Sequence, residues 1–104
     1  RTLLLVDMLV RAIEAAGTTD AAPVARRLSG MRMSAADNPY GAVEMRAADH
    51  QLIGPLVVSV MARRGEPGVR FDVEGSGYGF RTLTRIDAAR TARPTSCRMP
   101  ALPG

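Results

Sequence analysis

The chain has 104 residues, 46% hydrophobic and 23% charged, which leaves room for one hydrophobic core and excludes a collagen-like or wholly disordered polypeptide. With no Trp, 2 Tyr and 2 Phe, the core must be built from aliphatic side chains, so we expect a partner surface or further sequence to supplement it. All 14 basic residues are arginine, against 10 acidic residues, and no apolar run is long enough for a membrane span or a signal peptide.

The first predicted element is a helix over residues 2–16. Its charged residues, Asp7, Arg11 and Glu14, are spaced by four and three positions and therefore share one stripe of the helix. A helix that is apolar on its other sides is normally buried. The helical pattern starts at Arg1 with no capping residue before it, so we expect the sequence to continue upstream.

A second, shorter helix is predicted between two glycines. Gly17 ends the first helix, and residues 18–20 (Thr-Thr-Asp) offer an N-cap for the next one. Val24 and Leu28 then share one face, and Gly30 closes the helix. The two elements predict a helical hairpin.

Beyond the hairpin the hydrophobic period changes from helix to strand. Residues 31–40 contain Asp-Asn-Pro at 37–39 and predict a loop. Val43 and Met45 alternate with charged neighbours, as in a half-buried strand, whereas the continuous apolar run 56–61 predicts a strand that is covered on both faces.

The second half of the chain predicts a hairpin and an irregular tail. Residues 63–68 indicate a hairpin loop, and the clean alternation over 69–74 predicts its second strand. A glycine-rich turn follows at 75–79. Residues 80–86 favour a last strand, with a short helix as the alternative, and the proline-containing segment 87–104 is expected to be irregular.

The glycine-rich segment 75–79 invites comparison with a phosphate-binding loop. Its glycines alternate instead of following the G-x-G-x-x-G spacing between a strand and a long helix, so a structural turn is the better interpretation. Ser76 also lacks the G-x-S-x-G context of a hydrolase nucleophile.

His50 is the single histidine of the chain and follows Asp49 directly. It could act as a general base or metal ligand, but a site with one His and no second ligand at suitable spacing is poor for a metal ion. A structural, hydrogen-bonding role is favoured, so no catalytic, metal-binding or cofactor-binding residue is assigned.

The arginines leave a nucleic-acid-binding module as an alternative function. They are scattered along the chain, and adjacent pairs occur only at residues 26–27 and 63–64. Solvated surface charge is therefore the favoured interpretation.

Several segments, taken in chain order, are similar to one known family. They are residues 41–51 with Arg46-Ala47-Ala48-Asp49-His50-Gln51, residues 56–61, 71–74 and 79–80, and residues 94–99 with Cys97-Arg98-Met99. Together they resemble the C-terminal end of leucine/isoleucine/valine-type periplasmic substrate-binding proteins, the receptor subunits of branched-chain amino-acid ABC transporters. The Ala-Gly-Thr-Thr-Asp segment at 16–20 fits the same family.

The resemblance implies an α/β chain that is a C-terminal fragment of a type I periplasmic-binding fold. One unit of residues 1–104 would comprise a helical hairpin (1–30), a part with three to four short strands (41–86) and an irregular tail (87–104). It would belong to a periplasmic or extracellular solute receptor that captures branched-chain amino acids, or related small amino acids and amides, for ABC import. Its partners would be that ligand and the membrane permease subunits, with no nucleic acid and no enzymatic activity.

The resemblance also implies roles for a few residues. No ligand-contact motif of the family is matched, so no ligand-binding residue is carried over. Asp49 would cap backbone amides on a turn between two strands, and the strand at 56–61 would lie near a crossover between the lobes. In an exported parent, the lone Cys97 would pair with a cysteine outside this segment.

Overall fold

Two helices, a small sheet, a β-ribbon and one further helical turn follow one another along the chain. The computed structural model describes residues 2–38, 41–100 and 102; Arg1, Pro39, Tyr40 and the last part of the predicted tail lie outside the described residues. The elements are α1 (Thr2–Ala16), α2 (Ala21–Leu28), β1 (Arg32–Met33), β2 (Val43–Met45), β3 (Leu52–Ile53), β4 (Leu56–Arg63), β5 (Tyr78–Ile86) and α3 (Ala88–Thr91). The predicted α/β class is confirmed.

The helical hairpin forms as the sequence predicts. Gly17 adopts a φ of +67° and donates its N–H to the Ile13 carbonyl at 2.9 Å, which ends α1. Asp20 occupies the N-cap position of α2, but its side chain makes no capping hydrogen bond. Its own N–H donates to Thr18 Oγ1 at 3.2 Å, which fixes the turn that precedes α2.

The strands β1, β2 and β3 form an antiparallel sheet in that order. Met33 lies opposite Val43, and Met45 lies opposite Leu52. The predicted loop at 31–40 was wrong in its first part, which contains β1. Strands of two residues are held by their partner and are too short to leave a period in the sequence.

The core lies between α1 and this sheet. Met8, Met33 and Val43 are buried at its centre. Partly buried side chains surround them: Leu4, Leu28, Met31, Met45 and Leu52. Each buried aliphatic or methionine side chain contributes about 1.5–3 kcal/mol, so a centre of three residues gives a modest stabilisation.

The strands β4 and β5 form a separate two-stranded antiparallel ribbon. The pairing runs from Leu56 opposite Ile86 to Arg63 opposite Tyr78, with an irregularity between Val58 and Ser59. The strand predicted at 56–61 is confirmed. Residues 80–86 form the predicted strand and not the alternative short helix. The expected cover on both faces of β4 is absent among the described residues, because all of its side chains except that of Ala62 are exposed.

The strand predicted at 69–74 was wrong. The Val69 N–H donates to the Glu66 carbonyl at 2.9 Å and its carbonyl accepts the Gly65 N–H, so local turns use these groups. The edge of β4 is paired with β5 instead, and residues 69–73 cross over the ribbon. A Cβ at Gly79 would overlap with the Phe71 carbonyl oxygen, so this crossing needs glycine in β5.

The tail is regular at its start, contrary to the prediction for 87–104. Asp87 is the N-cap residue of α3, and its carbonyl accepts the Arg90 N–H at 2.9 Å. Two alanines, both good helix formers, support this single turn. Residues 92–100 are irregular as expected.

Much of the apolar surface is exposed. On α1 only Met8 and Ala12 are buried, whereas Leu3 is 86% exposed. The radius of gyration is 17.2 Å, against about 13 Å for a compact domain of this length. The expectation that α1 is covered is therefore not met by the described residues themselves, none of whose helices is long and apolar enough to cross a membrane.

Candidate functional site

A dense cluster of polar side chains lies on the turn between β2 and β3. Arg46 donates through Nε to Asp49 Oδ1 at 2.9 Å and through Nη2 to Asp49 Oδ2 at 2.6 Å. The same Nη2 donates to Gln51 Oε1 at 2.9 Å, and Nη1 donates to the Arg93 carbonyl at 2.6 Å. A two-point contact between a guanidinium and a carboxylate is strong and directional, so this cluster fixes the turn.

Asp49 takes the place on the turn that the resemblance implies. Its Oδ1 accepts the Gln51 N–H at 3.1 Å, and its side chain is only 8% exposed. The Arg46 guanidinium holds the pKa of this carboxyl well below its usual range, helped by the Gln51 N–H and the Thr95 hydroxyl. A carboxyl that stays ionised serves structure here and would be a poor proton donor.

The lowered pKa makes the chain acid-sensitive. Because Asp49 binds its proton more weakly in the folded than in the unfolded chain, its carboxylate stabilises the fold fully above about pH 4. This stabilisation is lost as the pH falls through the lowered value. We expect Asp49→Asn to reduce stability at pH 7 and to flatten its decline between pH 4 and 2, as measured by urea unfolding at each pH.

The matched control is Asp87→Asn, because Asp87 is exposed and reaches Arg85 only at 4.0 Å. It should leave the acid profile unchanged. Part of the decline should remain in Asp49→Asn, since Ser34 and Arg11 also lower the pKa of Asp37. An identical profile in wild type and Asp49→Asn would contradict the prediction.

His50 lies on the same turn with a left-handed backbone, φ +56°, and donates its N–H to the Arg46 carbonyl at 2.7 Å. Its ring lines a small cavity of about 390 Å³ together with Arg26, Ser29 and Met99. Among the residues that the structure describes, no three His, Cys, Asp or Glu side chains could hold a metal ion. The structural role of His50 stays a prediction; the described residues that line this cavity include Arg26 but no carboxylate, cysteine or second histidine.

The glycine-rich segment forms the turn that leads into β5. The Gly77 N–H donates to Asp72 Oδ2 at 2.9 Å, and the Val73 N–H donates to the Tyr78 carbonyl at 2.8 Å. Gly75 and Gly77 have φ values of +73° and +81°, which favour glycine. The interpretation as a structural turn is confirmed.

Exposed arginines alternate with acidic residues along the ribbon and its loop. Arg64 faces Asp72 at 3.7 Å, and Arg81 faces Glu66 at 3.8 Å. Such interleaved ion pairs are typical of a solvated surface, whereas a phosphate-binding face concentrates one sign of charge. The arrangement favours solvated surface charge over a nucleic-acid-binding face.

A wide groove of about 1440 Å³ lies between α1, the sheet and the ribbon. Its walls are largely apolar, with Leu3 and Phe80 on opposite sides. Two carboxylates line it, Asp7 and Asp37, and Arg11 contacts both at 3.3 and 3.0 Å. An amino-acid ligand needs a free carboxylate for its ammonium group, and both of these carboxylates are already paired with Arg11.

Cys97 is exposed in the irregular tail and makes no disulfide in the structure. Its N–H donates to Thr95 Oγ1 at 3.0 Å. Sequence reasoning missed the role of Arg46 in this region, because its partner is a main-chain carbonyl 47 positions away. A signal that could have found it was the Arg-x-x-Asp spacing on a predicted turn.

The family of the chain follows from a match to a family model. The family model for periplasmic binding proteins matches residues 1–66, and the chain belongs to this family. It is thus a member of a family of binding proteins. A comparison with curated proteins gave no match.

One solved structure shows the fold on a longer chain. It is the leucine-, isoleucine-, valine-, threonine-, and alanine-binding protein from Brucella ovis in its closed conformation, with a TM-score of 0.69 and 22% sequence identity. The match covers 91% of this chain and 24% of that chain. The present chain therefore spans about a quarter of the length of that protein, and the predicted fold, a part of the type I periplasmic-binding fold, is confirmed.

Proposed function

We propose that these residues are the C-terminal part of an exported solute receptor that captures branched-chain amino acids, or related small amino acids and amides, for import by an ABC transporter. The observation that carries the proposal is the family match together with a fold shared with a protein that binds leucine, isoleucine, valine, threonine and alanine. The receptor works in the periplasm or outside the cell and delivers its ligand to membrane permease subunits.

The exposed surfaces described above support the same proposal. An apolar outer face on α1 and a ribbon exposed on both sides are costly in an isolated domain but are covered when further lobes pack on them. The run at 56–61 then lies near the crossover between two lobes. Closure of two lobes around a ligand shifts an equilibrium between open and closed states.

The test uses the longer chain encoded by the reading frame that contains these residues. Reading the DNA upstream of the Arg1 codon should reveal a continuous frame with a signal peptide. Calorimetry with leucine, valine and alanine should show binding by that longer chain at micromolar or lower concentration. A longer chain that binds none of these, or other small amino acids and amides, would contradict the proposal.

The alternative function is that of an arginine-rich nucleic-acid-binding module. The salt dependence of binding distinguishes it from a solute receptor. Phosphate-driven binding weakens steeply as the salt concentration rises. We expect no binding of DNA or RNA by the chain at physiological salt. Salt-sensitive polynucleotide binding with no amino-acid binding would favour the module.

An exported receptor lies in an oxidising environment, where Cys97 can form a disulfide bond. We expect it to be disulfide-bonded in the longer, oxidised chain to a cysteine outside residues 1–104, which anchors the tail. Mass analysis of the non-reduced chain should identify the bridge, and Cys97→Ser should then lower stability by about 2–5 kcal/mol. A Cys97 that is fully alkylated without reduction would contradict this prediction.

A further inference from the structure

The chain beyond α3 runs back across the turn between β2 and β3 instead of leaving the molecule. Thr91 Oγ1 donates to the Gly54 carbonyl at 2.8 Å, which ties the end of α3 to the residues between β3 and β4. Two residues later the Arg93 carbonyl accepts a hydrogen bond from Arg46 Nη1 at 2.6 Å. These contacts join positions that are 37 and 47 residues apart in the sequence.

The same path continues to the end of α2. The Thr95 hydroxyl lies close enough to Asp49 to help lower the pKa of its carboxyl, and it accepts the Cys97 N–H at 3.0 Å. Further on, Met99, Pro100 and Leu102 close one side of the cavity whose other side is formed by Ser29 and His50. Residues 91–100 are thus tied to other parts of the chain at 91 and 93 and line a shared cavity at 99 and 100, although they contain no strand.

Arg46 is the centre of these contacts. Its Nε and Nη2 donate to the Asp49 carboxylate, and its Nη1 donates to the Arg93 carbonyl. The Asp49 side chain, held in this way, faces the Thr95 hydroxyl. A lysine ammonium could satisfy one of these acceptors but lacks the planar fork that reaches both.

We propose that residues 91–100 form a strap, closed by Arg46, that holds the end of α2 against the three-stranded sheet. Irregular segments without such ties are usually poorly ordered, and this one is tied by two hydrogen bonds, at Thr91 and Arg93, and shares a cavity with the residue after α2. Arg46 is its positioning residue. The proposal does not depend on the identity of the solute or on the receptor function.

Trypsin measures the opening of the strap in the 104-residue chain. Cleavage after Arg98 reports the strap, and cleavage after Arg70, in the loop of the ribbon, is an internal reference, because the rate of each cut follows the population of the locally open form. We expect Arg46→Gln to increase the ratio of the Arg98 rate to the Arg70 rate at least tenfold. Arg46→Lys should give a ratio between that of the wild type and that of Arg46→Gln.

The matched control is Arg32→Gln. Arg32 is an exposed arginine in the same sheet, paired with Glu44 at 3.5 Å, and has no contact with the strap. It should leave the ratio unchanged. Thr95→Val, which keeps the shape of the side chain but removes the hydroxyl, should raise the ratio several-fold and decides the matter if Arg46→Gln does not fold.

The strap is overturned by either of two results. One is a wild-type chain that is cut after Arg98 as fast as the Arg46→Gln variant or as an unfolded peptide. The other is acceleration of both cuts by the same factor in Arg46→Gln and in Thr95→Val, since that would report general unfolding.

Discussion

The isolated 104-residue chain should self-associate through the outer face of α1, and Leu9→Asp should abolish this association. Leu9 lies on that face with Leu5, Val6 and Val10, all of them exposed, whereas the inner face of the helix packs on the core. Apolar patches of this kind are normally covered by a partner. With the longer chain absent, a second copy is the available cover.

The expected effect is large because an interface turns an exposed position into a buried one. Removing the leucine loses about 2 kcal/mol of apolar burial, and a carboxylate buried without a partner costs several kcal/mol more or must take up a proton. Sedimentation velocity should show an oligomer, or a partly molten aggregate, for the wild type and a monomer for Leu9→Asp.

A charge elsewhere on α1 provides the control. Ala15 is exposed and lies about 120° around the helix from Leu9, so Ala15→Asp places a carboxylate in solvent away from the outer face and should leave the oligomer intact. The prediction is contradicted if the wild type is a monomer with a sharp melting transition and Leu9→Asp lowers its free energy of unfolding by less than about 1 kcal/mol. The outer face of α1 would then be stable in contact with solvent. This result would also weaken the proposal that further lobes cover it.

Features set by neighbouring residues could be predicted from the sequence. The helix over 2–16 follows from three charged residues on one stripe, and its end follows from a glycine with positive φ. The ribbon strand at 56–61 follows from an unbroken apolar run. Each of these signals acts within a few residues, where the period of the backbone determines which side chains share a face.

Features set by distant partners could not be predicted. The alternation over 69–74 was typical of a strand, but whether it pairs depends on which segment reaches the edge of β4, and β5 takes that place. Two-residue strands such as β1 exist because β2 lies beside them. The Arg46 contact to a main-chain carbonyl leaves no mark on the residue type at position 93.

The candidate site divides in the same way. The resemblance placed Asp49 and His50 on a turn between two strands, and the structure has Asp49 on this turn, where it accepts the Gln51 N–H. The ligand cleft was not assigned from the sequence, and the described residues explain why. The groove that they form has an open side, and Arg11 occupies the carboxylates on its rim.

That geometry leads to the second large effect, on ligand affinity. The isolated chain should not bind leucine, isoleucine, valine or related small amides with useful strength, although the longer chain should. A site that holds a small ligand tightly encloses most of its surface and offers matched polar groups to both ends. We expect residues 1–104 to supply one wall of such a site, since the solved structure with the same fold is about four times as long.

Calorimetry decides this prediction when both chains are titrated with the same ligands. A micromolar site contributes about −8 kcal/mol of binding free energy, which an open apolar groove without free charges cannot supply to an amino acid. The Arg11→Ala variant, which frees the carboxylates of Asp7 and Asp37, tests whether the groove holds a latent ammonium site. It should show no binding, because the open groove encloses too little of the ligand surface. Micromolar binding by the isolated wild-type chain would show that the ligand site lies within these residues.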